Sequence, residues 1–281
     1  MASNNVGRSS FGTGFAKTFA PSLQRACQQK ACAMTDRLGY RLKIGIVIPS
    51  TNTTVQPETD GMRPTGVTNH IGRIHIPDLP LGNDAEFETM VDAIGPDLYP
   101  CIDRVMTCKP AHLVMGMSIP TFWGGKAGSE RLLARLEERA KVPVTMGSAA
   151  CIAALKCFPA VKRIGLLTPY QPVGDANVAR YFSDHGYEIA AVHSLKRPSE
   201  VQIAHATELD IIDGFKTLAA IGMDAIVQAG TDLAAIDLAA EAERWLGIPV
   251  IAINAATYWC ALRRSGIDDR VHHCGSLLAL H

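Results

Sequence analysis

The chain has 281 residues, of which 47% are hydrophobic, and its 27 Lys+Arg against 27 Asp+Glu leave a formal net charge of zero at pH 7. That balance excludes a basic surface for nucleic acid or an anionic membrane, and no apolar run approaches the roughly 20 residues that span a bilayer. The length suits one large or two small domains with an ample core.

In chain order, Met1 to Thr35 carries Arg8, Lys17, Arg25 and Lys30 and no acid. This composition resembles an organelle transit peptide, but with the organised pattern beginning only at Leu42 it reads as a floppy tail ahead of a start near Met34. Residues 1–41 are read as a disordered N-terminal extension without a part in function. From Leu42 onward, short β-branched runs alternate with helix-length segments. Strands are expected at 43–48, 70–76, 112–116 and 143–146, with helices over 85–106 and 129–140. Leu132, Leu133 and Leu136 line one face of the latter at helical spacing. A second set follows, with strands at 163–168, 187–193, 224–229 and 249–253 and helices over 203–221 and 233–246. Gly247 is a helix stop directly before the last of these strands. Runs that are apolar on both faces and alternate with helices imply parallel sheets with right-handed crossovers.

The two sets repeat each other. Ile44-Gly45-Ile46-Val47-Ile48-Pro49, Val114-Met115-Gly116-Met117-Ser118, Val142-Pro143-Val144 and Ser148-Ala149-Ala150 recur as Ile164-Gly165-Leu166-Leu167-Thr168-Pro169, Val227-Gln228-Ala229-Gly230-Thr231, Ile248-Pro249-Val250 and Asn254-Ala255-Ala256. The fold class is α/β, with two pseudo-symmetric parallel-sheet halves at 42–158 and 159–254 whose loops face each other. Eight cysteines (27, 32, 101, 108, 151, 157, 260 and 274) are scattered without a Cys-x-x-Cys pair. They read as reduced thiols of a cytoplasmic protein.

Open parallel sheets bind ligands beyond the carboxyl ends of their strands. Those positions hold Ser50, Thr51 and Asn52, then Gly116-Met117-Ser118, then Tyr170, then Ala229-Gly230-Thr231-Asp232. Hydroxyl and amide donors beside helix starts make a seat for carboxylate or phosphate. Each such residue taken alone reads first as a helix cap. Four loops converging by symmetry favour a site.

Ile48-Pro49-Ser50-Thr51-Asn52-Thr53-Thr54 with Glu58, Met115-Gly116-Met117-Ser118, Thr168-Pro169-Tyr170 and Gln228-Ala229-Gly230-Thr231 resemble the aspartate/glutamate racemase superfamily, in its maleate isomerase and arylmalonate decarboxylase branch. The resemblance runs from about residue 42 to the C-terminus. It implies two similar α/β domains with the active site between them. It also implies that helices near 148–157 and 254–265 cross to the other half, so that 255–281 packs on the first. Racemases of this type use two cysteines as an acid–base pair, one after the third strand of each half. The internal alignment puts Gly116 and Ala229 there. Glycine at the first position matches arylmalonate decarboxylase, where it leaves room for a large substituent.

The resemblance thus implies a cofactor-independent and metal-free lyase or isomerase acting on a small carboxylic or dicarboxylic acid. Its sharpest form is decarboxylation through an enediolate held by neutral donors. Tyr170, Ser118 and Asp232 are the expected catalytic residues. Ser50, Thr51, Asn52, Gly116, Met117, Ala229, Gly230 and Thr231 are expected to bind substrate. Three alternatives remain: a maleate-isomerase-like reaction, a hydrolase or hydratase in which Asp232 activates water, and a carboxylate-binding protein without catalysis. Asp232 also suits a carboxylate facing a helix N-terminus. His75 lies within reach of the cleft, Trp123, Tyr258 and Trp259 suit either a pocket wall or the core, and Cys151 reads as a buried small side chain. No dinucleotide, phosphate-loop or zinc motif is present. The expected partner is a small carboxylate, with no nucleic acid and no membrane, and self-association stays open.

Overall fold

The computed structural model describes Met1 and residues 36–281. Most of the N-terminal extension, with Cys27 and Cys32, lies outside the described residues. Arg37–His281 forms one compact unit. Its chain start is anchored, because the Arg41 backbone N–H donates to Gly66 O at 2.9 Å and the Arg41 side chain pairs with Asp269.

Two four-stranded parallel sheets build the molecule. The first contains β1 (Leu42–Pro49), β2 (Val67–Ile74), β3 (His112–Met115) and β4 (Val144–Met146), in the order β2-β1-β3-β4. The second contains β5 (Arg163–Thr168), β6 (Glu188–Ser194), β7 (Ala225–Gln228) and β8 (Val250–Ala252), in the order β6-β5-β7-β8. Ile44, Ile46 and Ile48 on one face and Val47 on the other are all fully buried, which is why these strands lack an apolar/polar alternation. The register confirms the internal repeat. Gly116 N donates to Val47 O at 2.8 Å, and Ala229 N donates to Leu167 O at 2.9 Å.

Eleven helices cover the sheets among the described residues: α1 (Val55–Gly61), α2 (Asp84–Met106), α3 (Ile119–Phe122), α4 (Gly125–Ala140), α5 (Gly147–Lys156), α6 (Pro172–Ser183), α7 (Glu200–Ile203), α8 (Glu208–Ala219), α9 (Ile236–Leu246), α10 (Ile253–Arg264) and α11 (Ser276–Leu280). None is long and apolar enough to cross a membrane. Several differ from the sequence reading, which did not expect the short α3, α7 and α11, and two of the longer ones also depart from it. The helix expected over 203–221 begins at Glu208, because Thr207 and Asp210 close a reciprocal capping box there. Helix α6 was not anticipated. Its buried stripe is Gly174, Val178, Tyr181 and Phe182, a helical spacing that a glycine begins and so obscures.

The sheets exchange helices. α10 packs on α5 and on β3 and β4 of the first sheet, while α5 touches β8 of the second. Arg264 on α10 donates to Val144 O and to Thr145 Oγ1. Thr145 Oγ1 in turn lies 2.8 Å from His112 Nε2, and Ser265 Oγ lies 3.1 Å from His112 Nδ1. Burial, with the nearby Arg264 charge, lowers the His112 pKa to about 4, so a neutral imidazole links the two halves.

Candidate active site

At the seam, the loops leaving β1, β3, β5 and β7 line a small cavity. Asn52, Met117, Ser118 and Ile119 line it from the first half. Tyr170, Gly230, Thr231 and Asp232 line it from the second, and Ile76, Met90, Ile94 and Ile203 add apolar wall.

Three hydroxyl residues meet across the seam. Ser118 holds the N-cap position of α3, and Tyr170 and Thr231 follow β5 and β7. Thr231 N donates to Ser118 Oγ at 3.2 Å, Ser118 Oγ makes a short hydrogen bond with Tyr170 OH, and Tyr170 OH donates to Ala229 O at 2.7 Å. Thr231 Oγ1 stands 3.4 Å from Ser118 Oγ. Phe87 meets the Tyr170 ring edge-on with centroids 5.7 Å apart. A Cβ at residue 174 would sit 2.8 Å from Tyr170 Cβ, so Gly174 lets α6 approach that ring. Burial pushes the Tyr170 phenol well above its ordinary pKa, so it is a neutral hydrogen-bond donor and not a base.

Asn52 and Asp232 share the work of capping α1. Asn52 Oδ1 accepts from Thr54 N and Val55 N at 3.1 and 2.9 Å. What Asn52 offers a ligand is therefore its Nδ2 donor. Asp232 reaches across the seam, where its Oδ1 accepts from Thr53 N and Thr54 N at 2.9 and 3.2 Å. It faces the N-terminus of a helix in the opposite half, not of the helix that follows it in sequence. Asp232 Oδ2 is buried without a hydrogen-bond partner. Burial raises the Asp232 pKa to about 6 against the pull of these N–H groups.

Glu200 also lines the cavity, and no strand-end rule points to it. It opens α7, on a strap formed where the segments near residues 80 and 199 pair antiparallel. Leu81 N donates to Pro198 O at 2.7 Å, Val201 N donates to Asp78 Oδ1 at 3.2 Å, and Gln171 Nε2 donates to Leu81 O. Burial raises the Glu200 pKa to about 7, helped by the negative charges of Asp232 and Asp78. The only hint in the sequence is an acid directly after a Pro-Ser helix start beyond β6.

Of the residues singled out from sequence, Asn52, Met117, Ser118, Tyr170, Gly230, Thr231 and Asp232 line the cavity. Ser50, Thr51, Gly116 and Ala229 do not. Ser50 Oγ instead bonds both Ile76 O and Ile76 N at 3.0 Å, fixing the chain after β2. Thr51 Oγ1 is buried without a partner. A Cβ at Gly116 would lie 2.6 Å from Ile48 Cγ2, so this glycine serves packing and opens no room for substrate. Ala229 contributes its carbonyl to Tyr170 and is otherwise fully buried. His75 is exposed, its N–H held by Asp97. Trp123 stacks near Phe87, and Tyr258 donates to Asn69 Oδ1. Cys151 is fully buried, and burial raises its thiol far above the ordinary range. Among the described residues no cysteine lines the cavity.

Glu58 buttresses the site from behind. Its Oε1 accepts from Ala235 N and Ile236 N at 3.1 and 3.3 Å, and its Oε2 accepts from Asn254 Nδ2 at 2.6 Å. The same Asn254 amide donates to Thr231 O at 2.8 Å. A first-half carboxyl thereby fixes the loop that carries Thr231 and Asp232.

Known proteins share this fold. The maleate isomerase of Pseudomonas putida is 25% identical over 249 residues, covering 84% of this chain and 97% of its own. The arylmalonate decarboxylase of Bordetella bronchiseptica is 27% identical over 193 residues, covering 66% and 75%. Among solved structures, a Nocardia farcinica maleate cis-trans isomerase with a covalently bound succinylcysteine intermediate superposes with a TM-score of 0.77 at 20% identity, covering 85% of this chain and 99% of that one. An arylmalonate decarboxylase crystal structure gives 0.66 at 21% identity, covering 84% and 98%. The arylmalonate decarboxylase family model matches residues 44–278, and the chain, with its twin sheets and the cavity at their seam, belongs to that enzyme family of lyases and isomerases.

Proposed function

We propose that the protein is a cofactor-independent lyase that decarboxylates a substituted malonate-like acid. The observation that carries this reading is the Ser118–Tyr170–Thr231 cluster of neutral donors, which faces the apolar side chains of Met90, Ile94 and Ile203 in one cavity. Decarboxylation leaves an enediolate, and its stabilisation is the largest demand on such a site. The carboxylate that stays would accept hydrogen bonds from Ser118 Oγ, Tyr170 OH and Asn52 Nδ2, with Tyr170 turning from Ala229 O to reach it. The carboxylate that leaves sits against apolar wall, where a charge is poorly solvated and its loss as neutral CO₂ is favoured. The match to the arylmalonate decarboxylase family supports this reading.

Maleate isomerisation is the second reading, favoured by relatives of that activity that match nearly their whole length. The Nocardia isomerase holds a succinylcysteine. Here no cysteine lines the cavity among the described residues.

The test is turnover of substituted malonates and maleate in deuterated water, followed by proton NMR. Loss of CO₂ with one deuterium placed at the α-carbon is the expected result. Fumarate from maleate would replace the first reading with the second, and cleavage without α-deuteration would point to Asp232-assisted hydrolysis. In the first case Tyr170→Phe should lower kcat by about 100- to 1,000-fold, the usual effect of removing one oxyanion donor.

A further inference from the structure

Resting on the lyase reading, we infer that Glu200 is the acid that protonates the α-carbon, and that Asp232 is the partner carboxylate that keeps Glu200 protonated until it is used. Three observations converge. Both side chains line the same cavity, although they arrive on separate elements, Glu200 from the strap and Asp232 from the loop after β7. Asp232 is 4% exposed and its Oδ2 has no partner, so a buried carboxylate oxygen is left for something that enters the cavity. No ion pair among the described residues neutralises either carboxyl. Setting two acids without ion pairs in one cavity, Asp232 buried and Glu200 half-buried, is costly for a structural purpose. Two carboxyls in one low-dielectric space hold one proton between them over a wide pH range.

The chemistry balances. The bond from the α-carbon to the leaving carboxylate breaks and CO₂ departs. The electron pair stays on the α-carbon and spreads into the remaining carboxylate, held by Ser118 and Tyr170. The Glu200 O–H bond then breaks, a C–H bond forms at the α-carbon, and Glu200 is left as a carboxylate that regains its proton from solvent. Between about pH 6 and pH 7 Asp232 is ionised and Glu200 is protonated, the state this step requires. The other charges bearing on the pair are Asp78 on the strap, which raises Glu200, and Arg73 on β2, which lowers Asp232.

The experiment compares the unsubstituted full chain with Glu200→Gln, Glu200→Asp and Asp232→Asn on whichever acid of the malonate panel it turns over, as kcat and KM from pH 5 to pH 9. Glu200→Gln should lower kcat at least about 100-fold, the usual scale of a general acid, with KM within threefold. Glu200→Asp should recover part of that loss. The unsubstituted protein should lose kcat as pH rises through about 7, and Asp232→Asn should move that limb to lower pH. A merely structural Glu200 would not move the limb. If Glu200→Gln keeps kcat within threefold, or if the limb stays in place in Asp232→Asn, the inference fails while the lyase reading stands. If the unsubstituted chain turns over no acid of the panel, the lyase reading fails and the role of Glu200 as donor falls with it.

Discussion

Burial raises the pKa of three carboxyls near the seam, Glu200 and Glu58 to about 7 and Asp232 to about 6. An acid whose folded pKa exceeds its unfolded value binds its proton more tightly in the folded state. For Glu200 the associated stability is fully present below the ordinary value of 4.5 and is lost as pH rises through about 7. Glu200→Gln removes that dependence. Its melting temperature should therefore gain on the unsubstituted protein between pH 5 and pH 8, by about 2–4 °C for each kcal/mol involved. Thermal melts at the two pH values check this, and an equal difference at both would contradict it. At this scale the sequence revealed the donors on strand ends, because Ser118, Tyr170 and Thr231 sit where parallel sheets present ligands. It did not reveal Glu200, whose place depends on pairing between segments more than a hundred residues apart. Nor did it separate Gly116 from Met117 and Ser118, since which of three neighbouring residues turns toward the cavity is decided by packing against Ile48 and Val55.

The strands were legible in the sequence because burial on both faces leaves a short uninterrupted apolar run, and all eight expected runs became strands. Helix ends were less so. The capping box at Thr207 could have been read, but the apolar run through Ile203 and Ala204 masked the break. Gly116 belongs to this scale, because it closes the end of β3 against β1. An alanine Cβ would stand 2.6 Å from Ile48 Cγ2, 3.1 Å from Val55 Cγ1 and 3.2 Å from Val47 O. Neither the strand backbone nor two β-branched neighbours can yield cheaply. Gly116→Ala should cost about 1–3 kcal/mol of stability, the usual range for overpacking a core, read as a lower midpoint in urea at unchanged slope. A glycine that merely made space for substrate would instead leave the midpoint unchanged and alter KM.

The internal repeat, taken alone, divides the chain into halves at 42–158 and 159–254, yet Arg37–His281 is one compact unit. The exchange of α5 and α10 accounts for the difference. β3 and β4 are covered by a helix that follows β8. Arg264, His112 and Thr145 then tie the halves through buried polar contacts, and Glu58 and Asn254 do the same beside the cavity. Neither half can bury its own apolar faces, so neither has a stable folded state to occupy while the other unfolds. Unfolding of the full chain in urea should be a single transition. Far-ultraviolet circular dichroism and tryptophan fluorescence should give the same midpoint, even though Trp123 lies in the first half, Trp245 in the second and Trp259 on the exchanged helix α10. The single substitutions Trp123→Phe and Trp245→Phe would show whether the fluorescence from each half moves with the whole. Separate midpoints for the two halves would mean that the exchanged helices do not couple them, and a site built across the seam would then be lost at the lower of the two.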